Sequence, residues 1–190
     1  MNKKVYLETD RLLLRAWEDE DIVPFASLCA DPEVMRYFPE ILTREKSEEL
    51  VSRCLEKQER DGFCMSPVET KDEGEFLGFV GLSRPAYARP LPFDPCIEIG
   101  WRLKKSSWGK GYASEAASAW LRFGFETIGL NEIVAFTIHA NMPSRKVMER
   151  IGMKRDPGGD FLHPSLPADH PIAPHVLYRF AASDWRARSF

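Results

Sequence analysis

The chain has 190 residues, 44% hydrophobic and 29% charged, which suits one compact domain with a substantial core. A formal net charge of −3 gives a nucleic-acid-binding role no electrostatic support. No stretch approaches the roughly 18 uninterrupted apolar residues of a membrane span. Lys3 and Lys4 follow Met1 and Asn2, but Glu8 and Asp10 arrive before any apolar run, so the start does not read as a secretory leader. Cys29, Cys54, Cys64 and Cys96 form no C-x-x-C pair. They read as reduced packing residues of a cytoplasmic protein rather than as a disulfide framework or a zinc site.

The first strand signal is the apolar run Arg11–Trp17, after the Thr9-Asp10 turn. Acidic residues 18–21 suit the start of a helix reaching Ala30, where the dipole favours anions. Asp31-Pro32 predicts a fresh helix start, with Asp31 as cap. Thr43 is placed to cap a longer helix through Arg60, which Asp61-Gly62 ends. Two strands are predicted at 63–69 and 75–82, separated by the turn residues 71–74. A proline-rich loop, 84–95, leads to Cys96–Leu103. There Ile97, Ile99, Trp101 and Leu103 alternate with Glu98, Gly100 and Arg102, the pattern of a strand with two different faces. Gly100 within it suggests a bulge or a close backbone approach.

After residues 104–111 comes the strongest helix pattern, Tyr112–Thr127. Ala113, Ala116, Ala117, Trp120, Leu121 and Gly124 form one apolar stripe, and Gly129 stops it. A strand at 132–139, a short helix at 143–151 closed by Gly152, an optional strand after it and a last strand at 175–181 complete the order. Strands and helices alternating in this way predict an α/β sheet with at least one parallel crossover.

The segment most suggestive of chemistry joins the 98–103 strand to the 112–127 helix through Lys104-Lys-Ser-Ser-Trp108-Gly109-Lys-Gly111. A helix N-terminus has unpaired N–H groups and a positive dipole end, so it attracts phosphate. Gly109 and Gly111 let N–H groups turn inward and a ligand approach closely, and Lys104, Lys105 and Lys110 add positive charge. The pattern is neither a P-loop nor the dinucleotide fingerprint. By itself a G-x-G turn is equally well a plain structural turn. Asn141-Met142-Pro143-Ser144 follows the 132–139 strand directly. Asn141 and Ser144 there can reach toward a ligand or simply cap the next helix.

Taken together, the strand, the W-G-K-G-Y-A-S-E-A run, the long helix, the next strand and then N-M-P-S with E-R-I-G-M resemble the GNAT acetyltransferases. The opening E-T-D-R-L-L-L-R at 8–15 and E-I-G-W at 98–101 are similar to the branch containing the ribosomal-protein N-terminal (RimJ/RimL-like) acetyltransferases. The likeness spans about 7–181. It implies a single domain over 1–190. It also implies a central mixed sheet of six to seven strands flanked by helices, splayed between the strands at about 97–103 and 132–139.

The resemblance further implies an acetyl-CoA-dependent N-acetyltransferase. The diphosphate of coenzyme A would sit on Ser106-Ser-Trp108-Gly109-Lys110-Gly111 and the helix start at Tyr112 and Ala113. Ser106 stands where the family has Gln or Arg. Trp101 and Leu103 match the positions whose backbone pairs with pantetheine, and Asn141 the side chain that holds it. An amine must be neutral to attack, and a lysine amine has a pKa near 10.4, an α-amine about 7.7–8.0. Glu98 is the first candidate base, with an exposed or salt-bridged strand carboxylate (with Arg102, for example) as the equal alternative. A backbone N–H of the 99–103 strand would steady the oxyanion. Where many relatives carry a proton-donating tyrosine, this chain has Met148, which cannot donate. Ser144 and the start of its helix could steady the leaving thiolate.

His163, His170 and His175 are read as shaping a proline-rich loop, not as metal ligands, although His163 or His175 could border the acceptor pocket. Tyr37, Phe38 and Trp101 could line it or belong to the core. Arg186 and Arg188 read as a solvated tail. The acceptor is a primary amine, with a protein N-terminal α-amine favoured. A small-molecule amine (polyamine, amino acid or aminoglycoside) and a non-catalytic acyl-CoA-binding sensor are the alternatives. No metal, nucleic-acid or membrane partner is expected, and the state is monomer or homodimer.

Overall fold

The computed structural model describes residues 3–188; Met1 and Asn2, which begin the segment read as non-secretory, lie outside the described residues, as do Ser189 and Phe190. Its strands are β1 (Val5–Glu8), β2 (Leu12–Arg15), β3 (Met65–Thr70), β4 (Phe76–Ser83), β5 (Glu98–Leu103), β6 (Glu132–Ile138), β7 (Lys154–Leu162) and β8 (Pro174–Ala181). The helices are α1 (Ile22–Ala30), α2 (Pro32–Met35), α3 (Arg44–Asp61), α4 (Tyr112–Arg122), α5 (Met142–Arg150) and α6 (Ala182–Arg186). Among the described residues, no helix is long and apolar enough to cross a membrane. The mixed α/β architecture with helices against the strands is the expected one, with eight strands in place of six or seven. Residues up to Ser83 and Gly100–Trp120 form one compact unit; Arg84–Ile99 and the chain from Leu121 onward form a second.

In the first unit β1, β2, β3 and β4 lie side by side, each antiparallel to the next. Three local signals acted as the residues suggest. Asp31 accepts from the Glu33 N–H at 2.8 Å, Thr43 Oγ1 accepts from the Lys46 N–H at 3.3 Å, and Gly62 ends α3 in the left-handed conformation at φ 79°. Trp17, Phe25, Leu28, Cys29, Val51, Cys54 and Phe79 share one core, with Trp17 edge-on to Phe25 at 5.0 Å. Beneath it Arg15 is buried between two carboxylates. It donates to both oxygens of Asp21 (2.6 and 2.7 Å) and to Glu69 (2.8 Å). Asp21 thus pairs with Arg15 and, as expected of an acidic residue at a helix start, also accepts the Glu18 N–H at 2.9 Å. Close backbone approach occurs at Gly78 on β4, whose φ is 130° and where a Cβ would collide with the Arg102 carbonyl oxygen.

In the second unit β8 lies between β6 and β7, antiparallel to both, with β6 registered against β8 from Glu132 to Ile138. β5 begins in this unit and pairs with β6 in parallel at Glu98–Val134, supported by the Val134 N–H to the Ile97 carbonyl at 2.8 Å. Ile133, Val134, Ala135, Leu177 and Phe180 are fully buried. α5 packs on β6 and β7, and α6 on β8. The expected helix end at Thr127 becomes a wider turn, Phe123–Ile128, closed by Gly129 at φ 78°.

Arg188 corrects the expectation of a solvated tail. Its guanidinium lies 4.5 Å from the Phe180 ring and 5.5 Å from the Trp185 ring and donates to the Ile151 carbonyl. It covers Gly152, where a Cβ would collide with it. Arg186, on α6, is exposed.

Candidate active site

The loop between β5 and α4 belongs entirely to the first unit. β5 ends at Leu103, and residues Lys105–Ser107 make one tight turn, held by the Ser107 hydroxyl donating to the Lys104 carbonyl at 2.7 Å. Trp108 then folds back, its indole N–H on the Leu103 carbonyl at 2.9 Å. One lone pair of the carbonyl expected to face pantetheine is thereby used. Gly109 (φ 75°) and Gly111 (φ 83°) both adopt the left-handed conformation that side chains rarely take. A Cβ at Gly109 would meet nothing within 4 Å, so this side of the loop is open. α4 starts at Tyr112, and its first turn presents the N–H groups that helix geometry leaves without an i−4 carbonyl. In that turn the Ser114 hydroxyl is buried without a hydrogen-bond partner among the described residues.

Two of the three lysines expected to enrich this loop in charge are drawn elsewhere. Lys104 pairs with Glu75, and Lys105 with Glu33 at 3.3 Å. Lys110, Ser106 and Gly109 are exposed, and Tyr112 and Ala113 are half-buried. Arg36 lies above the exposed Trp108 ring at 5.6 Å and above Tyr37 at 4.6 Å. Arg102 donates to Cys29 Sγ at 3.1 Å and covers the Phe38 ring at 4.2 Å.

Sequence reasoning passed over two side chains that hold this loop. Glu115, on α4, accepts from the Thr9 hydroxyl (2.6 Å), the Arg11 backbone N–H (3.1 Å) and Arg11 Nε (2.7 Å), and forms an ion pair with Arg11 Nη2 at 2.5 Å. Arg11 also donates from Nη1 to the Lys110 carbonyl at 3.1 Å and lies over the Tyr112 ring at 4.6 Å. Burial pushes the Glu115 pKa upward, but the Thr9 and Arg11 hydrogen bonds outweigh it and hold the carboxyl below its usual range. No local signal in either stretch, T-D-R or G-Y-A-S-E, points to the other, about a hundred positions away.

The second unit holds Glu98, Asn141 and Ser144. Asn141 is buried and doubly engaged. Its Nδ2 donates to Thr137 Oγ1 at 2.9 Å, while Oδ1 caps α5 by accepting the Ser144 N–H at 3.3 Å. Of the two readings open from sequence, the helix cap is thus present in the structure. Ser144 is half-buried on the first turn of α5, and Met148, at the position of the missing tyrosine, is buried core. Glu98 is half-buried at the start of β5. Burial, reinforced by the charges of Glu98, Cys96 and Asp94, raises the Tyr87 phenol well above its ordinary value. Its edge meets the His163 ring at 4.7 Å.

His163 and His175 stand 4.9 Å apart, ring to ring, among Phe136 and Phe161. Burial lowers both pKa values, that of His163 to about 4 with the charge of His175 contributing. His163 Nδ1 accepts from the Ser165 N–H, and His170 Nδ1 from the Ile172 N–H, each at 3.3 Å. The imidazoles thus shape the proline-rich loop.

The loop between β5 and α4 thus combines two left-handed glycines, an open side at Gly109 and the start of a helix at Tyr112. Comparison with known proteins identifies the family. Residues 11–154 match the family model for the acetyltransferase (GNAT) domain. YnaD of Bacillus subtilis (strain 168), an uncharacterized N-acetyltransferase, is 31% identical over 182 residues, covering 95% of this chain and 99% of its own. A GNAT-family acetyltransferase of Bacillus anthracis superposes with a TM-score of 0.76 at 29% identity, covering 93% of this chain and 98% of that one. A ribosomal-protein-S5-alanine acetyltransferase of Vibrio fischeri shares the fold, with a TM-score of 0.73 at 21% identity over 96% of this chain and 99% of that one. The loop geometry and these likenesses lead to one conclusion: this chain belongs to the GNAT family of N-acetyltransferases.

Proposed function

We propose that the protein moves the acetyl group of acetyl-CoA to a primary amine by direct attack in a ternary complex, with a protein N-terminal α-amine as the favoured acceptor. The observation that carries the cosubstrate is the pair of left-handed glycines, 109 and 111, opening onto the first turn of α4. Acetyl-CoA supplies an activated thioester. The chain's own residues then divide the work. Ser106, Trp108, Gly109, Lys110, Gly111, Tyr112 and Ala113 form the diphosphate cradle, through backbone N–H groups above all. Trp101 and Leu103 offer backbone groups to pantetheine, and Asn141 a side chain whose capping bonds fix its orientation. Glu98 takes the amine proton directly or through a water. The N–H groups that begin α5, with the Ser144 hydroxyl, steady negative charge on the departing sulfur. No acid is required at Met148, because a thiol is acidic enough to leave with such help.

The α-amine is favoured because its pKa of about 7.7–8.0 leaves a useful neutral fraction near pH 7, so a half-buried carboxylate suffices as base. The test is free-thiol release from acetyl-CoA across N-terminal peptides, polyamines, amino acids and aminoglycosides. Turnover with the peptides supports the reading, and turnover confined to a small amine replaces its acceptor. Thiol release no faster than background with every acceptor, alongside normal CoA binding, would sink it in favour of an acyl-CoA sensor. Within the enzyme reading, Glu98→Gln lowers kcat by roughly 100-fold and leaves CoA affinity unchanged.

A further inference from the structure

Two stretches of sequence that look unrelated, T-D-R at 9–11 and G-Y-A-S-E at 111–115, are brought together in the first unit with an unusual density of bonds. Glu115 receives three hydrogen bonds, from the Thr9 hydroxyl and from the Arg11 backbone N–H and Nε, at 2.6–3.1 Å, and Arg11 Nη2 adds an ion-pair contact at 2.5 Å. Such charge-assisted, forked contacts fix orientation as well as distance. The guanidinium does more than neutralise this carboxylate. Nη1 binds the Lys110 carbonyl at 3.1 Å, and the plane lies over the Tyr112 ring at 4.6 Å. Nη2 comes within 3.5 Å of where a Cβ would stand at Gly111.

The Lys110 carbonyl matters because it is the link between the two glycines. In the peptide 110–111 the carbonyl and the Gly111 N–H are antiparallel. Tethering the carbonyl to Arg11 therefore commits that N–H to the opposite side of the peptide. The Lys110 carbonyl also lies four residues before Ser114, the usual back-bonding spacing for a helical serine, and Arg11 occupies one of its two lone pairs. Ser114 Oγ is indeed buried without a partner among the described residues. Two left-handed glycines are otherwise the least constrained part of such a loop.

We infer that Arg11, oriented by Glu115 and Thr9, is a positioning residue for the cosubstrate. It holds the 109–114 backbone in the diphosphate-binding conformation without touching the diphosphate itself. The inference rests on the acetyl-CoA reading above and adds to it a residue from the opposite end of the chain. Arg11 stands just before β2, whose pairing with β3 anchors one end of the tether to the first unit's sheet.

The test combines CoA titration calorimetry, steady-state kinetics, thermal unfolding and amide hydrogen exchange on the full chain. Arg11→Ala is expected to weaken CoA about tenfold, the equivalent of one charge-assisted hydrogen bond, and to raise KM for acetyl-CoA in proportion while kcat holds. Exchange at 109–114 in the unliganded protein should quicken, and Arg11→Lys should fall between the two. Glu115→Ala should weaken CoA comparably, and the double variant should be no worse than either single one. A lower melting temperature with unchanged CoA affinity and unchanged exchange at 109–114 would reduce the pair to a structural clamp and overturn the inference. Loss of kcat at constant KM would overturn it as well. Absence of CoA binding by the unaltered protein would overturn the acetyl-CoA reading instead, and with it the positioning role. Hydrogen exchange reports the tether separately from that result.

Discussion

Arg11 and Arg15 flank the same three leucines, and both meet carboxylates from distant parts of the chain, yet they do different jobs. Arg15 is almost wholly inaccessible and is held by Asp21 and Glu69, so its charge survives burial because both carboxylates favour it. Burial opposes that charge, but the Asp21 and Glu69 bonds raise the Arg15 pKa above its already high ordinary value. The Arg11 side chain is 49% exposed, and its bonds go to Glu115 and a loop carbonyl. Ion pairing by itself therefore does not reveal what an arginine does. Its depth, and whether its partner belongs to a rigid strand or a glycine loop, decide between holding the fold and aiming a site.

Substitution can break this comparison, and the largest effect is expected at Arg15. Arg15→Ala removes the only cation within 4 Å of the buried Asp21 among the described residues, leaves Glu69 to Lys3 alone, and should cost about 3–5 kcal/mol in urea unfolding. Arg11→Ala should cost about 1 kcal/mol or less in the same assay, because an exposed pair is worth little to stability. Equal losses would erase the distinction. The next effect belongs to the glycines. Gly78→Ala meets the Arg102 backbone, which cannot swing aside, and should destabilise by about 2 kcal/mol or more through strain and overpacking. Gly111→Ala meets only the end of the Arg11 side chain. It should cost about 1 kcal/mol from the left-handed conformation, with weakened CoA binding as its main consequence. A Gly111→Ala loss as large as that of Gly78→Ala would show that the loop carries more of the fold than its openness implies.

The smallest effect is one of pH and keeps the two arginines clear of a confounder. The folded-state pKa of His163 is depressed to about 4, below the usual His value, so the unfolded chain binds the extra proton first. Its stabilising contribution is complete above about pH 6.5 and declines as pH falls toward 4. His175, lowered by burial, acts in the same direction. His163→Gln should flatten the decline of melting temperature across that window. An unchanged slope would remove the histidine pair from the acid limb. The Glu115 contribution also needs the ionised carboxylate. It is present above the unfolded-state value and fades as pH drops through its lowered folded value.

Local chemistry made much of this fold readable in advance. The Asp31 and Thr43 caps, the left-handed Gly62 and Gly129 and the α4 stripe are decided by neighbours a few positions away. β1 escaped because four residues behind two lysines carry too little pattern, and their strand state depends on pairing with β2. β7 contains Asp156-Pro157-Gly158-Gly159, residues that disfavour regular pairing. It is extended because β8 supplies a template, with an irregularity between Asp156 and Phe161 that accommodates those residues. In the candidate site, the glycine loop was visible as a motif, but what holds it was not. Arg11 and Glu115 are separated by more than a hundred positions, and nothing in either one's neighbours announces the other. The lysines erred the opposite way. Their local density suggested a charged cradle, whereas Glu75 and Glu33 draw Lys104 and Lys105 aside.

The docking of Arg188 onto Gly152 and the Phe180 and Trp185 rings has a consequence for how the second unit is made. A ribosome releases the chain from its N-terminal side, so the turn after α5 emerges long before the side chain that covers it. Until residue 188 is clear of the exit tunnel, that turn lacks the side chain that covers it. A protease that trims the chain back past 188 restores the same bared state in the finished protein, because it removes a piece of wall where the sequence suggests only a loose thread.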